Sequence, residues 1–336
     1  MLNIIHTIPK ALLTVPPTEL YLHFPGPTLI HIPGHRTPPL FVSVLLHGNE
    51  TTGYYAIQAL LKKYHNATLP RSLSLFIGNI QAAKYGKRRL GHQVDYNRIW
   101  PHSGFSPAAP ESKIMQQVID EMRRHQVLLS IDIHNNTGLN PHYACINRRD
   151  NAFYQLAVIF SRTVIYFIRP QGVQSQAFAE LCPAVTIECG KPEHQQGITH
   201  AMQYIESCLG LDHLPERPIL KQDIDLFHTV AIVNVPKNIS FSFNDAHTTD
   251  LRFAANLEKF NFSELPAGSD VGFVNDSSTI PLSVIDEQGN EAYHRFFDVK
   301  NNRLQTQCTV MPSMLTTDTE IIRKDCLCYL MERLEI

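Results

Sequence analysis

LFVSVLLHGNE, residues 40–50, joins an apolar run to a polar turn within one short segment. Residues 40–46 have Val and Leu on both faces, which suits a strand buried on both sides of a sheet. HGNE follows at once, and a helix is predicted from about Tyr54 to Tyr64, with Ile57, Leu60, Leu61 and Tyr64 on one face. The same transition recurs along the chain. VLLSIDI (127–133) runs into His134, AVTIE (184–188) ends on Glu188, and LSLFI (73–77) reads as a further strand. Between them SKIMQQVIDEMRRHQ (112–126) predicts an amphipathic helix with Ile114, Met115, Val118, Ile119 and Met122 inward and Ser112 as its cap. A helix around 151–161, a strand around 163–168 and a helix from about Gln195 to Leu209, ended by Gly210, complete the alternation. Strands alternating with helices predict an α/β fold with a central, largely parallel sheet flanked by helices.

Beyond about Leu214 the pattern changes. Short alternating runs such as TVAIVNV (229–235) and LSVID (282–286) are separated by Pro, Asn, Gly and Asp, as expected of a smaller β-rich domain. The expected division is an α/β domain over 1–214 and a β-rich C-terminal domain over 215–336.

Charge argues against one large class of function. With 29 Lys+Arg against 31 Asp+Glu the formal net charge is −2, and a nucleic-acid surface needs clustered cations to neutralise phosphates. The one basic cluster, Lys84 to Arg89, adjoins a motif described below and reads as part of a pocket. No run approaches the ~20 apolar residues that span a bilayer. The first residues lack a basic start followed by an unbroken apolar core, so no secretory signal and a cytoplasmic location are expected. The seven cysteines are scattered. Cys326 and Cys328 stand too close for a metal knuckle and have no partner pair, so buried reduced thiols are expected.

The polar residues at the strand ends carry the chemistry. His47 and Glu50 flank Gly48 and Asn49, which permit a tight turn aiming both side chains at one point. Imidazole nitrogen and carboxylate oxygen are both zinc ligands. His134 ends another strand, and in open α/β sheets the ligand crevice lies outside the carboxyl ends of the strands. Two histidines, a glutamate and an open fourth position make the donor set of many catalytic zinc sites. Asp132, two residues earlier on a strand, shares the side of His134 and suits a supporting role. Glu188 closes a third strand, where a carboxylate can move protons to and from the attacking water and the leaving group; Gly190 leaves room for substrate. In VDYNRIWP (94–101), Asp95, Asn97 and Arg98 offer a guanidinium fork with amide and carboxylate neighbours, suited to a substrate carboxylate.

HGNE, DYNR, DIHNNTG and ECG, in this order and at these separations, resemble the succinylglutamate desuccinylase/aspartoacylase family, relatives of the zinc carboxypeptidases. The resemblance covers about residues 38 to 210. It implies a zinc-carboxypeptidase-like mixed sheet, one zinc ion per chain held by His47, Glu50 and His134, and Glu188 as general acid/base. It further implies that Asn97 and Arg98 hold the substrate carboxylate with Asp95 in support, and that an arginine ahead of the Asp-x-Asn-Arg run polarises the scissile carbonyl. Arg89 is the candidate, with Arg88 as the alternative. NEAYHRFFDV (290–299) resembles the segment whose tyrosine enters the active site, which points to Tyr293. One feature departs from the family: residues 174–187 contain none of the basic residues that select an acyl carboxylate, and Arg169 lies well upstream.

The expected function is therefore zinc-dependent hydrolysis of the amide bond in an N-acyl amino acid or similar small carboxylate-bearing molecule. The rivals are a zinc carboxypeptidase acting on short peptides and a non-catalytic binding protein for an acidic metabolite. Neither nucleic acid nor membrane is an expected partner; a homo-oligomer is compatible with the sequence, and so are other divalent ions at the His/Glu site.

Overall fold

Every residue of four of the predicted strands is buried in the computed structural model, which describes residues 2–243 and 249–336. The chain divides into two compact units. The first holds the chain up to Asn136 together with His142–Tyr166 and Pro170–Asp225; the second holds Thr137–Pro141, Phe167–Arg169 and Leu226–Ile336.

The strands of the first unit are β1 (Asn3–Ile5), β2 (Thr28–Ile32), β3 (Leu40–Val44), β4 (Leu73–Ile77), β5 (Leu129–His134), β6 (Tyr143–Ile146), β7 (Thr163–Tyr166) and β8 (Ala184–Glu188). They lie in the order β1-β2-β4-β3-β5-β8-β6-β7. β4, β3, β5 and β8 are mutually parallel. β2 runs antiparallel to β4, and β6 antiparallel to β8, so the sheet is mixed and largely parallel. Its helices are α1 (Ala11–Thr14), α2 (Thr52–Lys63), α3 (Ile80–Ala83), α4 (Pro110–Arg124), α5 (Asn151–Phe160), α6 (Gln174–Phe178) and α7 (Gln195–Gly210). α7 packs against both α2 and α5. Parallel register carries the central strands to one common edge: Ser43 pairs with Asp132, and His134 with Glu188.

Among the boundaries that differ from expectation, three have a visible local cause. β3 stops at Val44, because Leu45 turns into the left-handed region (φ 54°) and the chain leaves the sheet there. α4 starts at Pro110 rather than behind Ser112. Proline suits a first helical turn, where its missing N–H costs nothing, and Ser112 is buried inside that turn. α7 includes Gly210 and ends on an extended Leu211, so no left-handed glycine terminates it.

The second unit is β-rich. β9 (Asp225–Asn234) pairs with β13 (Ser283–Asp286) and β17 (Cys328–Arg333), and β17 with β16 (Met311–Ser313). A separate sheet takes the order β10 (Phe241–Ser242), β11 (Leu251–Phe253), β12 (Asp270–Val274), β15 (Arg303–Thr306), β14 (Phe297–Lys300). Val230, Val233, Leu251, Val274, Phe296 and Leu304 belong to a buried core of its own. No disulfide joins the cysteines, and no helix among the described residues is long and apolar enough to cross a membrane.

Candidate active site

The crossover from β3 to α2 brings His47 and Glu50 to the sheet edge. Gly48 is required there by close approach rather than by its φ: a Cβ on it would sit 2.2 Å from the Ala83 backbone nitrogen. The Gly48 N–H donates to the Arg88 carbonyl at 3.1 Å, which ties the turn to the basic segment. His47, Glu50 and His134 are all buried, at 3, 6 and 4% exposure. His47 Nδ1 lies 2.8 Å from Glu50 Oε1 and His134 Nδ1 2.7 Å from Glu50 Oε2, so both imidazoles face one carboxylate.

The opposite nitrogens also meet carboxylates. His47 Nε2 is 2.9 Å from Asp95 Oδ1, and His134 Nε2 is 2.7 Å from Asp132 Oδ2. Asp132 is fully buried and its Oδ1 accepts the Ser43 hydroxyl at 2.6 Å, so its remaining oxygen is aimed at His134. An imidazole that donates Nε2–H to a carboxylate presents a lone pair at Nδ1. Such a lone pair facing a carboxylate oxygen at under 3 Å needs a cation between the two, which is a proton in the metal-free protein and a metal ion when one is bound. The donor set therefore fits a divalent metal, and each histidine has the carboxylate partner that orients metal-ligating imidazoles. His47, Glu50 and His134 are one of two His/Glu groups among the described residues whose ligand atoms converge.

The electrostatics follow from burial among these partners. Burial opposes ionisation of Glu50, but His47 and His134 outweigh it and hold the carboxyl well below its usual range. Burial likewise opposes ionisation of Asp95, and His47, Arg88 and Arg98 more than compensate. His134 is pulled down by desolvation and pushed further up by Asp132 and Glu50, so its net shift is upward. Glu188 is different. Burial raises it to about 7, Glu50 adds to the rise, and the His134 charge and the Asn136 amide offset only part of it. A carboxyl with that environment exchanges its proton near neutrality.

Side chains overlooked in the sequence hold the edge together. The Asn135 backbone N–H donates to Glu50 Oε2 at 3.2 Å. Its amide donates to Thr52 Oγ1 and to the Gly190 carbonyl at 2.9 and 2.8 Å, and its oxygen accepts the Thr52 N–H. Asn135 thus ties the start of α2 to the turn after β8. Asn136 reaches Glu188 Oε2 at 3.4 Å. Ser43 had a legible signal: it is the one polar residue in an otherwise apolar strand, and a buried hydroxyl needs a partner.

The 95–100 segment is pinned by Trp100, which is fully buried with its ring against Phe76 and Phe178 at 5.9 Å. Its backbone N–H donates to the carbonyl of Gly172 (φ 76°), which passes so close that a Cβ would lie 2.6 Å from the Arg98 carbonyl oxygen. Asp95 Oδ1 accepts the Asn97 N–H at 2.8 Å, Asn97 Oδ1 accepts the Gln174 N–H at 2.9 Å, and Arg98 donates to the Asn97 carbonyl at 2.7 Å. Asn97 Nδ2 lies 3.2 Å from His134 Nε2, which brings this segment to the histidine cluster.

The two candidate arginines lie in different surroundings. Arg89 is exposed and donates to the Gln93 carbonyl at 3.0 Å. Arg88 instead lies against the site, 3.1 Å from Asp95 Oδ2 and 3.6 Å from Glu50 Oε1. Asp95 attracts it there, so the alternative arginine is the one the site gathers. His47, Glu50, His134, Asp95, Asn97 and Glu188 all belong to the first unit, as does the half-buried Arg98. Tyr293 belongs to the second, where its ring is buried beside Phe297 and its hydroxyl has no hydrogen-bond partner. Arg169, also of the second unit, donates to the Glu287 carbonyl at 2.6 Å.

No curated protein matches this chain in sequence. Solved structures match its fold. Succinylglutamate desuccinylase from Chromobacterium violaceum is 16% identical with a TM-score of 0.56 over 89% of this chain and 85% of that one. Succinylglutamate desuccinylase from Vibrio parahaemolyticus is 13% identical with a TM-score of 0.60 over 91 and 86%. Murine aminoacylase 3 is 14% identical with a TM-score of 0.57 over 90 and 97%. The sequence model of the succinylglutamate desuccinylase/aspartoacylase catalytic domain matches residues 36–209, the stretch that carries the whole histidine–carboxylate edge. On that match the chain belongs to the succinylglutamate desuccinylase/aspartoacylase family.

Proposed function

We propose that this protein is a zinc-dependent deacylase that hydrolyses the amide bond of an N-acyl amino acid or a similar small molecule with a free carboxylate. The observation that carries the reading is the convergence of His47 Nδ1 and His134 Nδ1 on Glu50, with a carboxylate behind each ring and Glu188 paired in register with His134. His47, Glu50 and His134 would hold the zinc, whose Lewis acidity polarises a carbonyl and makes water a nucleophile near neutral pH.

The remaining work falls to side chains. Glu188, a buried carboxyl paired in register with His134, takes a proton from the attacking water and returns it to the leaving amine. Arg88 stabilises the charge developing on the carbonyl oxygen; its ion pairs with Asp95 and Glu50 support this part over Arg89. Arg98 and Asn97 orient the substrate carboxylate, on the strength of their anchored loop and their closeness to His134.

Metal content and activity test the reading together. Wild-type protein should carry zinc that His47→Ala and His134→Ala lose. Glu188→Gln should keep the zinc and lose activity by about 10²–10⁴-fold on the best substrate of an N-acyl amino acid panel. Full activity in Glu188→Gln would remove Glu188 as the base. A protein active only on a parallel peptide panel would be a carboxypeptidase, and one that takes up no zinc at His47 and His134 would lose the hydrolase reading.

A further inference from the structure

A second histidine–glutamate–histidine cluster lies in the first unit, formed by β2 and the end of α4 and sharing no residue with the His47 cluster. His31 sits on β2 opposite Ser74 of β4, and its Nδ1 is 2.9 Å from the Ser74 hydroxyl. Whichever atom holds that proton, Nε2 is left buried and without a hydrogen-bond partner. It is aimed at Glu121 Oε1, 3.7 Å away. Glu121 is itself buried. Arg124 pairs with its Oε2, which leaves Oε1 between His31 and His125, whose Nε2 is 3.2 Å from it. One ligand atom from each of His31, Glu121 and His125 lies within 4.8 Å of the other two. The His6 ring stacks on His31 at 5.2 Å and the His125 ring lies 4.7 Å from it.

An ordinary helix pair explains part of this. Glu121 and His125 are four residues apart, and such pairs are common and weak, a few tenths of a kcal/mol. It does not explain His31. A buried ring nitrogen with no partner is costly, and the carboxylate oxygen in front of it is too far to bond and too near to ignore. A cation at the common point serves all three groups: it coordinates the His31 lone pair, the remaining oxygen of Glu121 and His125. Two imidazoles and one carboxylate select borderline divalent ions of the zinc kind over calcium or magnesium, which favour all-oxygen shells. The Ser74 hydroxyl behind Nδ1 is the kind of partner that orients a ligating imidazole.

We propose that His31, Glu121 and His125 form a second transition-metal site, of zinc type, with water in the fourth position. Bound metal there staples β2 to the end of α4.

The test compares the full chain with His125→Ala and Glu121→Gln, each stripped with a chelator, reloaded with Zn²⁺ and freed of excess ion. His125 is exposed, so its replacement leaves the core intact. Wild type should retain one more zinc per chain than either variant, and Co²⁺ loading should give a visible absorption band that His125→Ala lacks. The difference between proteins is the readout, so it stands whether or not the His47 cluster is loaded. Added zinc should also raise the Tm of wild type more than that of His125→Ala. Equal zinc content and equal Tm response in wild type and His125→Ala would overturn the proposal.

Discussion

Arg88 and Arg89 are chain neighbours with opposite surroundings, and their contrast is a kinetic prediction. Arg88 is ion-paired to Asp95 beside Glu50, whereas Arg89 is exposed on a loop carbonyl. Loss of one oxyanion-stabilising donor typically costs about 10²–10³ in rate. Arg88→Ala should lower kcat by that order, and Arg89→Ala should stay within a few-fold of wild type in the same steady-state assay. The reverse pattern would give the role to Arg89. Spacing cannot separate two adjacent arginines, because the choice depends on which of them the Asp95 carboxylate meets after folding.

Elements position these side chains more firmly than the residues do themselves. The loop bearing Asp95, Asn97 and Arg98 has no regular structure, yet Trp100 locks it between Phe76 and Phe178. Trp100→Ala should destabilise the protein by about 3–5 kcal/mol, the range for deleting a fully buried aromatic. It should also raise KM, because the loop proposed to hold the substrate carboxylate loses its anchor. Urea unfolding and steady-state kinetics check the two halves. An unchanged KM in folded variant would mean that the loop is held by its hydrogen bonds to Gly172 and Gln174 alone. The strands were legible because LFVSVLL, VLLSIDI and AVTIE are each largely apolar runs that lead into titratable residues, as a strand buried on both faces does where it leaves the sheet. The start of α4 was misread because Ser112 resembles a cap, while Pro110 is the better first residue of a helix.

Across the whole molecule, burial of titratable groups makes stability depend on pH. Glu188 has a folded pKa of about 7 against about 4.5 unfolded. Between these values the unfolded chain has released a proton that the folded one keeps, so stability falls as pH rises through this window. Glu50 and Asp95 act oppositely: their depressed folded values add stability above the ordinary carboxylate range that is lost as pH falls. In metal-free protein, Glu188→Gln removes only the first dependence. Its advantage over wild type should therefore grow from pH 4.5 to pH 7, to on the order of 3 kcal/mol, and then level off. Thermal unfolding of both proteins across that range measures it, and a gap independent of pH would show that Glu188 is not raised.

The sequence by itself determined the alternation of strands and helices, the residues at the strand ends and their likeness to one hydrolase family. Those features are local: a strand's pattern and its terminal residue lie within a few positions of each other. Only the tertiary structure decided which nitrogen of each histidine faces Glu50, that Asp95 stands behind the His47 ring, that Arg88 rather than Arg89 lies against Asp95, and that Asn135 ties α2 to the turn after β8. The His31–Glu121–His125 cluster belongs with these. The long-range contacts among these, such as His47 with Asp95, His134 with Glu50 and Asn135 with Gly190, join groups far apart in the chain that strand register and helix packing bring together, and no local pattern encodes that distance.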